Sequence, residues 1–408
     1  MPRQKARELA KSKSVKLRFG RQADIRQLPG TPGLPDSLVN LSAVAAQGRK
    51  ASHLWLAGDE DARIERLSLI GRRTYGAPAS FDLAQILTGL PWSSAARVTA
   101  PLPAGSTKIA KRPEADIEGL AVEDGYLWLV GSHSLARGKV DVARNPAGAA
   151  TALLGVKADP LRYLLARIPV TEEAEPEVPP RLVARTAGAG TAGEAGERQA
   201  LCLRQLNQAA GNVLTAALLA DPLIAPFLAI PAKDNGFDVE GIAVEPGSGG
   251  DHRVLLGLRG PVLRGQAIAL ALRLRPGADW LELVPVAERS YARCFLDLDG
   301  LGIRDLARDG RDILVLAGPT MDLDGPVGVW RWRNAFATIT ADRPVPADEL
   351  KHVLALPHGR GCDHAEGMTV VKRAGGRRSL LVVFDSPGPK RIDCDGTIRA
   401  ELFDLPPR

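Results

Sequence analysis

The stretch that decides the fold is DIEGLAVEDGYLWLVGSHS, from Asp116 to Ser134. It places an acidic residue and a glycine before an apolar run, turns at Asp124 and Gly125, and ends a second apolar run close to His133. Short apolar runs rich in valine, leucine and tryptophan, bounded by glycine and aspartate, are typical of strands that are buried on both faces. The stretch therefore predicts a hairpin of two buried strands.

The first half of this stretch recurs along the chain. DIEGLAV at 116–122 returns as DVEGIAV at 238–244 and HAEGMTV at 364–370, and more loosely as NLSAVAA at 40–46 and GIRDLAR at 302–308. Each copy is followed by a turn and a second apolar run, and a third run usually comes next. Spacings of roughly 60 to 80 residues, with three or four strands each, correspond to single blades of a β-propeller. The sequence therefore predicts an all-β fold, a β-propeller of five blades.

The step between Glu118 and Glu240 is about twice as long as the others, so it holds either a sixth blade or an insertion. We favour an insertion at 171–234, because residues 171–199 contain few bulky apolar side chains and are typical of a flexible loop. An amphipathic helix is predicted after the loop. Its apolar positions at helical spacing are Leu203, Leu206, Ala210, Val213 and Ala217.

The domain organisation follows from these segments. Residues 1–35 form a basic N-terminal arm, and residues 36–408 form the propeller that carries the insertion. Within the arm, SVKLRF at 14–19 has the pattern of a strand. We expect it to pair with the last blade and close the ring, because closure removes an exposed sheet edge.

The composition excludes several classes of protein. No window of the 408 residues reaches the roughly 18 apolar residues of a membrane helix, and no apolar segment follows the basic start, so we predict neither a membrane span nor a signal peptide. The four cysteines form no CxxC pair, so we expect reduced thiols and a cytoplasmic location. The net charge of +6 permits anion binding, but aromatic residues are only 4%, so nucleic acid is not an expected partner.

Propeller geometry predicts one polar rim. If each inner strand begins at the Glu-Gly position and the next strand returns antiparallel, the start of the first strand lies beside the end of the second. Polar residues from both sets then meet at one mouth of the central channel. The candidate site residues are Glu118, Glu240 and Glu366 as metal ligands, His133 and Glu240 as catalytic residues, and Asp59, Arg259, Arg304 and Asp385 as ligand-binding residues.

Two interpretations of these glutamates remain open. Convergent carboxylates could hold a hard cation such as Ca²⁺, with His133 moving a proton. Alternatively, the glutamates could accept hydrogen bonds from the backbone of the neighbouring blade, with the glycines allowing the inner strands to crowd together. Arg304 replaces glutamate in one copy of the repeat. A cation there weakens a calcium cage and favours either an internal ion-pair network or an anionic ligand.

Taken together, the motifs resemble the bacterial DUF3616 family, a family of unknown function placed among β-propellers. The resemblance rests on DIEGLAVEDGYLWLVGSHS, KDNGFDVEGIAV, GIRDLARDGRDILVLAGPT and HAEGMTV with LLVVFDSPG, in that order. More loosely, the Glu-Gly repeats are similar to the esterase-like phytase-type propellers. That looser likeness implies hydrolysis of an ester or phosphoester, with calcium as a cofactor.

Two functions of different class follow. The first is a module that binds a small anionic ligand, a peptide or a protein at the channel mouth. The second is a metal-assisted hydrolase of an anionic ester or phosphoester. No GxSxG, HExxH or Walker A motif is present, so the sequence favours binding and leaves enzymatic activity open.

Overall fold

The structure is a computed structural model that describes residues 8–19, 40–59, 61–90, 92, 115–138, 143, 146, 148–171, 178–186, 197–206, 211–247, 250–286, 288–321, 323–339, 342–359, 364–372, 376–393 and 397–408. Parts of the predicted arm (1–7 and 20–35), parts of the predicted loop (172–177 and 187–196) and Ala210 of the predicted helix lie outside these ranges. Within them, no helix has the length and apolar character needed to cross a membrane.

Strands account for most of the regular structure. In chain order they are β1 (Ser12–Arg18), β2 (Leu41–Gln47), β3 (His53–Gly58), β4 (Arg63–Gly71), β5 (Thr74–Asp82), β6 (Ile117–Glu123), β7 (Tyr126–Gly131), β8 (Ala136–Arg137), β9 (Val156–Lys157), β10 (Leu165–Pro169), β11 (Leu201–Cys202) and β12 (Asp238–Val244). The second half of the chain contains β13 (His252–Gly260), β14 (Gln266–Pro276), β15 (Leu281–Val284), β16 (Tyr291–Asp297), β17 (Gly302–Asp309), β18 (Asp312–Gly318), β19 (Val327–Trp332), β20 (Arg343–Pro344), β21 (Leu350–Leu356), β22 (His364–Lys372), β23 (Arg378–Asp385) and β24 (Thr397–Asp404).

Helices are short. The α-helices are α1 (Leu83–Ile86), α2 (Ala149–Leu153), α3 (Val213–Leu218) and α4 (Ala335–Thr338). Single turns of 3₁₀-helix occupy Pro160–Tyr163, Ala225–Phe227, Ala232–Asp234 and Pro389–Arg391.

Neighbouring strands form five blades within the described residues. Each blade begins with an inner strand that pairs antiparallel with the strand after it. The blades are β2-β3-β4-β5, β6-β7-β10-β11, β12-β13-β14-β16, β17-β18-β19-β21 and β22-β23-β24-β1, numbered 1 to 5 here in that order. The inner strands β2, β6, β12, β17 and β22 each contact the next, and β22 contacts β2. This closed ring of inner strands is the arrangement of a β-propeller, as the repeats predict.

The apolar core is divided among the spaces between blades. Five clusters of buried residues lie between blades 1 and 2, 2 and 3, 3 and 4, 4 and 5, and 5 and 1. Strand β7 shows why apolar and polar residues do not alternate along the strands. Leu127 and Leu129 pack toward blade 1, whereas Trp128 and Val130 pack toward blade 3. Both faces of the strand are therefore buried, and both must be apolar.

The first strand completes the last blade. Strand β1 pairs antiparallel with β24 along its whole length, from Ser12 opposite Phe403 to Arg18 opposite Thr397. Its other edge pairs parallel with β5 of blade 1 through Lys16 and Leu17. The Leu17 side chain is fully buried in the cluster between blades 5 and 1. The N-terminal strand therefore lies across the seam at which the ring closes.

The segment between blades 2 and 3 differs in detail from the helix that the sequence predicts. Leu201 and Cys202 form β11, the outer strand of blade 2, because β10 has a free edge that they pair with. The helix is confined to α3, which begins at Val213, and the side chain of the preceding Asn212 accepts hydrogen bonds from the backbone N–H groups of Leu214 and Thr215. The predicted helical start at Leu203 is therefore wrong, since Leu203 is extended there, forms an isolated bridge with Leu281 and donates its N–H to the backbone oxygen of Leu165.

The glycines of the Glu-Gly pairs lie where neighbouring inner strands approach one another. A Cβ atom on Gly241 would lie 2.8 Å from the backbone nitrogen of Leu306 in the next inner strand, and one on Gly367 would lie 2.8 Å from the backbone oxygen of Ser42. Because backbone atoms on both sides cannot move independently, no side chain fits there. The glycines set the diameter of the inner ring.

We therefore expect Gly241→Ala to lower the free energy of unfolding by at least about 2 kcal/mol, measured by urea denaturation. Gly138→Ala is the control, because its added methyl group would meet no atom within 4 Å. An equally small loss of stability in both variants would contradict the close approach of the inner strands.

Candidate functional site

Every inner strand carries a β-bulge at the same position. The pairing of each inner strand with its neighbour shifts by one residue there, between flanking pairs such as Val239 with Leu258 and Gly241 with Gly257. A bulge leaves one residue out of the ladder and turns its side chain in a new direction. The five residues at the shifts are Ser42, Glu118, Glu240, Arg304 and Glu366. The repeated Glu position of the sequence is thus a repeated bulge, which we call the bulge ring.

Ion pairs join three members of the bulge ring. Glu240 of blade 3 lies between two arginines: Nη1 of Arg259 is 2.7 Å from its Oε1, and Nε of Arg304 is 3.1 Å from its Oε2. Arg304, in blade 4, also donates from Nη2 to Oε1 of Glu366 in blade 5. Arg259 reaches a second carboxylate as well, with its Nη2 2.5 Å from Oδ2 of Asp238. Charge pairs therefore link blades 3, 4 and 5 continuously.

The protonation of this network follows from its geometry. Burial raises the pKa of Glu240, and the guanidinium groups of Arg259 and Arg304 oppose that rise. Burial alone would lower the pKa of Arg259, but Asp238 and Glu240 outweigh it, so the pKa of Arg259 is raised. With a guanidinium nitrogen within ion-pair distance of each carboxylate oxygen, the geometry supports the ionised form of Glu240.

Two other side chains at or next to the bulges join neighbouring blades through hydrogen bonds to the backbone. Asp305, next to Arg304, accepts hydrogen bonds from the backbone N–H of Leu306 at 2.7 Å and of Met368 in blade 5 at 2.6 Å. Ser42 donates from its hydroxyl to the backbone oxygen of Ile117 in blade 2 at 2.5 Å. The backbone-fastening role that the sequence suggests for the glutamates is thus performed by Asp305 and Ser42.

Glu118 differs from the other glutamates. Among the described residues it has neither a hydrogen-bond partner nor an ion-pair partner, and it lies partly buried near four other carboxylates. Burial is the main cause that raises the pKa of Glu118 well above its ordinary value, and Asp116, Glu240, Glu366 and Asp238 add to the rise. The neutral form of this carboxyl group is therefore favoured in the folded protein.

His133 is held inside the protein. Its Nδ1 is 2.8 Å from the backbone oxygen of Gly131, and its Nε2 is 2.7 Å from Nδ2 of Asn212, the residue that caps α3. Burial lowers the pKa of His133 to about 4, so the ring is neutral, with Nδ1 as donor and Nε2 as acceptor. Both nitrogens are occupied, and the geometry gives His133 a structural role in anchoring α3. A role in proton transfer stays a prediction.

A cavity of about 260 Å³ opens beside the bulge ring, and we call it the mouth cavity. Four of the predicted site residues line it: Arg259, Arg304, Glu366 and Asp385. Glu118, Glu240, His133 and Asp59 do not. Asp59 directly follows β3 in blade 1, whereas the mouth cavity is formed mainly by blades 4 and 5.

Sequence reasoning missed several residues that line the mouth cavity. Lys233 comes from the segment between blades 2 and 3, and Asp324, His358 and His364 come from turns and strand ends of blades 4 and 5. His364 begins the HAEGMTV copy of the repeat, so its position in the motif was a usable signal. Nothing in the sequence around Lys233 indicates that it reaches this end of the channel.

A metal centre finds no support in the geometry. Across the part of the chain that the structure describes, no group of three or more His, Cys, Asp and Glu side chains is arranged to hold a metal ion. Glu240 and Glu366 instead contact Arg304. A calcium site built from Glu118, Glu240 and Glu366 therefore stays a prediction without structural support.

Comparison with known families assigns most of the chain to one family. The sequence model described as "Protein of unknown function (DUF3616)" matches residues 40–401. The chain belongs to this family. The matched residues include all five members of the bulge ring and the four predicted residues that line the mouth cavity. A comparison with curated proteins finds no match.

Three solved structures show remote similarity to this DUF3616 chain. The PQQ-bound aldose sugar dehydrogenase of Streptomyces coelicolor has a TM-score of 0.34 at 11% identity, over 97% of this chain and 99% of that one. The Cps50 (Swd1) β-propeller domain of Myceliophteria thermophila has a TM-score of 0.25 at 8% identity, over 89% of this chain and 83% of that one. The N-terminal domain of Nup159 has a TM-score of 0.22 at 9% identity, over 97% of both chains. Likenesses at this level carry no argument about function.

We expect Glu118 to make the stability of this DUF3616 protein dependent on pH. Because the folded-state pKa is raised, Glu118 contributes stability fully below the ordinary pKa of an unfolded glutamate and loses it as pH rises through the folded-state pKa. Glu118→Gln, which keeps a neutral side chain, should lose less stability than the wild type between pH 5 and 9. The difference should grow by up to about 1.4 kcal/mol per pH unit, measured by denaturant unfolding.

Glu282→Gln serves as the control for this measurement, because Glu282 is exposed on β15. It should leave the pH dependence unchanged. If Glu118→Gln and the wild type lose stability in parallel as pH rises, the neutral carboxyl assigned to Glu118 is wrong.

Proposed function

We propose that this protein is a binding module whose mouth cavity takes a small, polar ligand that carries an anionic group. The observation behind the proposal is that three cationic side chains from different parts of the chain, Lys233, Arg259 and Arg304, line one cavity of about 260 Å³. That volume lies just below the range typical of pockets for drug-sized ligands, so the ligand is small.

Lys233 is the most available of these cations. Arg259 and Arg304 already form ion pairs with carboxylates of the inner strands, so they are less available to a ligand. Lys233 is exposed and has no ion-pair partner among the described residues. Burial raises the pKa of Glu366, and the charge of Lys233 is among those that oppose the rise. A flexible ammonium at the edge of a polar cavity is suited to a carboxylate or phosphate group.

Hydrogen-bond acceptors also line the mouth cavity. Asp385 lines it at the end of β23, and Asp324 lies 3.9 Å from Nε2 of His364. Met321 and Leu323 add exposed apolar surface beside them. A ligand with hydroxyl or amino donors in addition to its anionic group would be complementary to these carboxylates, since their oxygens accept hydrogen bonds from such donors.

The proposal predicts which substitutions weaken binding. In isothermal titration calorimetry with a panel of small hydroxylated carboxylates and phosphates, any ligand that binds should do so about tenfold more weakly to Lys233→Ala, because a charge-assisted hydrogen bond is lost. Asp385→Asn should weaken binding to a similar extent.

Lys351→Ala is the matched control, because Lys351 is exposed on β21 and does not line the cavity. Binding that survives both Lys233→Ala and Asp385→Asn, or a panel in which no anion binds, would contradict the proposal. Turnover of an ester or phosphoester that stops when a chelator is added would favour the calcium-dependent hydrolase instead.

A further inference from the structure

A second cavity, of about 440 Å³, lies far along the chain from the mouth cavity and shares no lining residue with it. It is formed by the outer strands of blade 1, by α1 and by residues 178–182. We call it the side cavity. Its walls are apolar where Phe81, Ile86 and Leu182 line it, and two arginines, Arg66 and Arg181, line it as well.

Arg66 is buried and forms no ion pair with a carboxylate among the described residues. Arg66 lies on β4 and is only 6% exposed. Its Nη1 donates a hydrogen bond to the backbone oxygen of Pro180 at 2.8 Å. Its Nε is buried and has no hydrogen-bond partner. Burial lowers the pKa of Arg66, and the neighbouring Arg181 lowers it further. Burying a charge is costly unless an opposite charge is present.

The other buried arginines show what Arg66 lacks. Of the seven buried arginines in the described residues, five form ion pairs with carboxylates: Arg162, Arg259, Arg293, Arg304 and Arg331. Arg167 has no carboxylate, but its guanidinium lies 4.2 Å from the centre of the Tyr126 ring and 2.8 Å from Nε2 of His252. Arg66 has neither kind of partner. It stands alone in this set of seven.

The remaining polar groups of the side cavity leave it positively charged. Ser80 and Gln85 are neutral, and the one carboxylate is that of Asp82. Asp82 caps the start of α1, because its Oδ1 accepts a hydrogen bond from the backbone N–H of Ala84 at 2.9 Å. Among the described residues, no ion pair joins Asp82 to either arginine. Among the described residues that line the cavity, two guanidinium groups therefore accompany one carboxylate, which already accepts a backbone hydrogen bond.

We propose that the side cavity binds the oxyanion group, phosphate or carboxylate, of a small organic molecule. Arg66 and Arg181 bind the oxygens, because a planar guanidinium matches two oxygens of such a group and the bound charge removes the cost of burying Arg66. The apolar wall at Phe81, Ile86 and Leu182 packs against the organic part. This site is independent of the function proposed for the mouth cavity.

Inorganic phosphate and phenyl phosphate test the proposal, with thermal melting and calorimetry of the full chain. Both should raise the melting temperature above that in sodium chloride of equal ionic strength, because a ligand that binds only the folded state stabilises it. Phenyl phosphate should bind more tightly, since its ring can reach the apolar wall. Arg181→Ala, at an exposed position, should bind both at least about tenfold more weakly.

Arg66→Met gives an independent readout. Without phosphate this variant should be at least as stable as the wild type, because a buried unpaired charge is replaced by an apolar side chain, and added phosphate should no longer raise its melting temperature. Arg63→Ala is the control: Arg63 is exposed on the same strand and does not line the cavity. The proposal is overturned if neither phosphate exceeds chloride, or if Arg181→Ala retains the full gain.

Discussion

The structure depends on the position of one guanidinium group. Arg304, on the inner strand of blade 4, contacts Glu240 of blade 3 and Glu366 of blade 5, so a single side chain connects three blades at the end of the central channel. All three residues occupy β-bulges, which turn their side chains out of the ladders and toward one another. A buried charge of this kind is tolerated only with its partners, so each blade constrains the next.

The contacts that join neighbouring blades differ near the bulges and further from them. Beside the bulge ring, glycines such as Gly241 bring neighbouring backbones together, and Asp305 and Ser42 bond directly to the backbone of the following blade. Further from the bulges, the spaces between blades are filled by apolar side chains. The bulges and the ion pairs between them therefore lie at one mouth of the channel, where the cavity that we propose as a binding site opens.

Much of this arrangement was readable in the sequence. The five repeats predicted the inner strands and their shared polar rim, because repetition of Glu-Gly requires an equivalent backbone position in every blade. Arg304 at a glutamate position predicted either an ion-pair network or an anion site, and the structure shows ion pairs with both neighbouring glutamates. Glycines that allow inner strands to crowd together follow from the same pattern.

Other features had no local signal. Lys233 reaches the mouth cavity through the path of the segment between blades 2 and 3, which periodicity does not define. His133 has the appearance of a catalytic residue in a motif, but its burial and its bond to Asn212 depend on residues distant in the chain. The predicted start of the helix is too early because Leu201 and Cys202 pair with the edge of β10. This tertiary pairing outweighs the helical spacing of the apolar residues.

Urea unfolding of Arg304→Met, alone and combined with Glu240→Gln and Glu366→Gln, tests the central claim most directly. If Arg304 joins the blades, the single substitution removes the ion-pair partner of Glu366 and one of the two partners of Glu240, and it should lower the free energy of unfolding by about 3–5 kcal/mol. Neutralising both glutamates as well should recover much of that loss. The reference is Arg399→Met, which removes a partly exposed ion pair with Asp393 and should cost no more than about 1 kcal/mol. A loss for Arg304→Met no larger than that for Arg399→Met, with no recovery in the triple variant, would contradict the account.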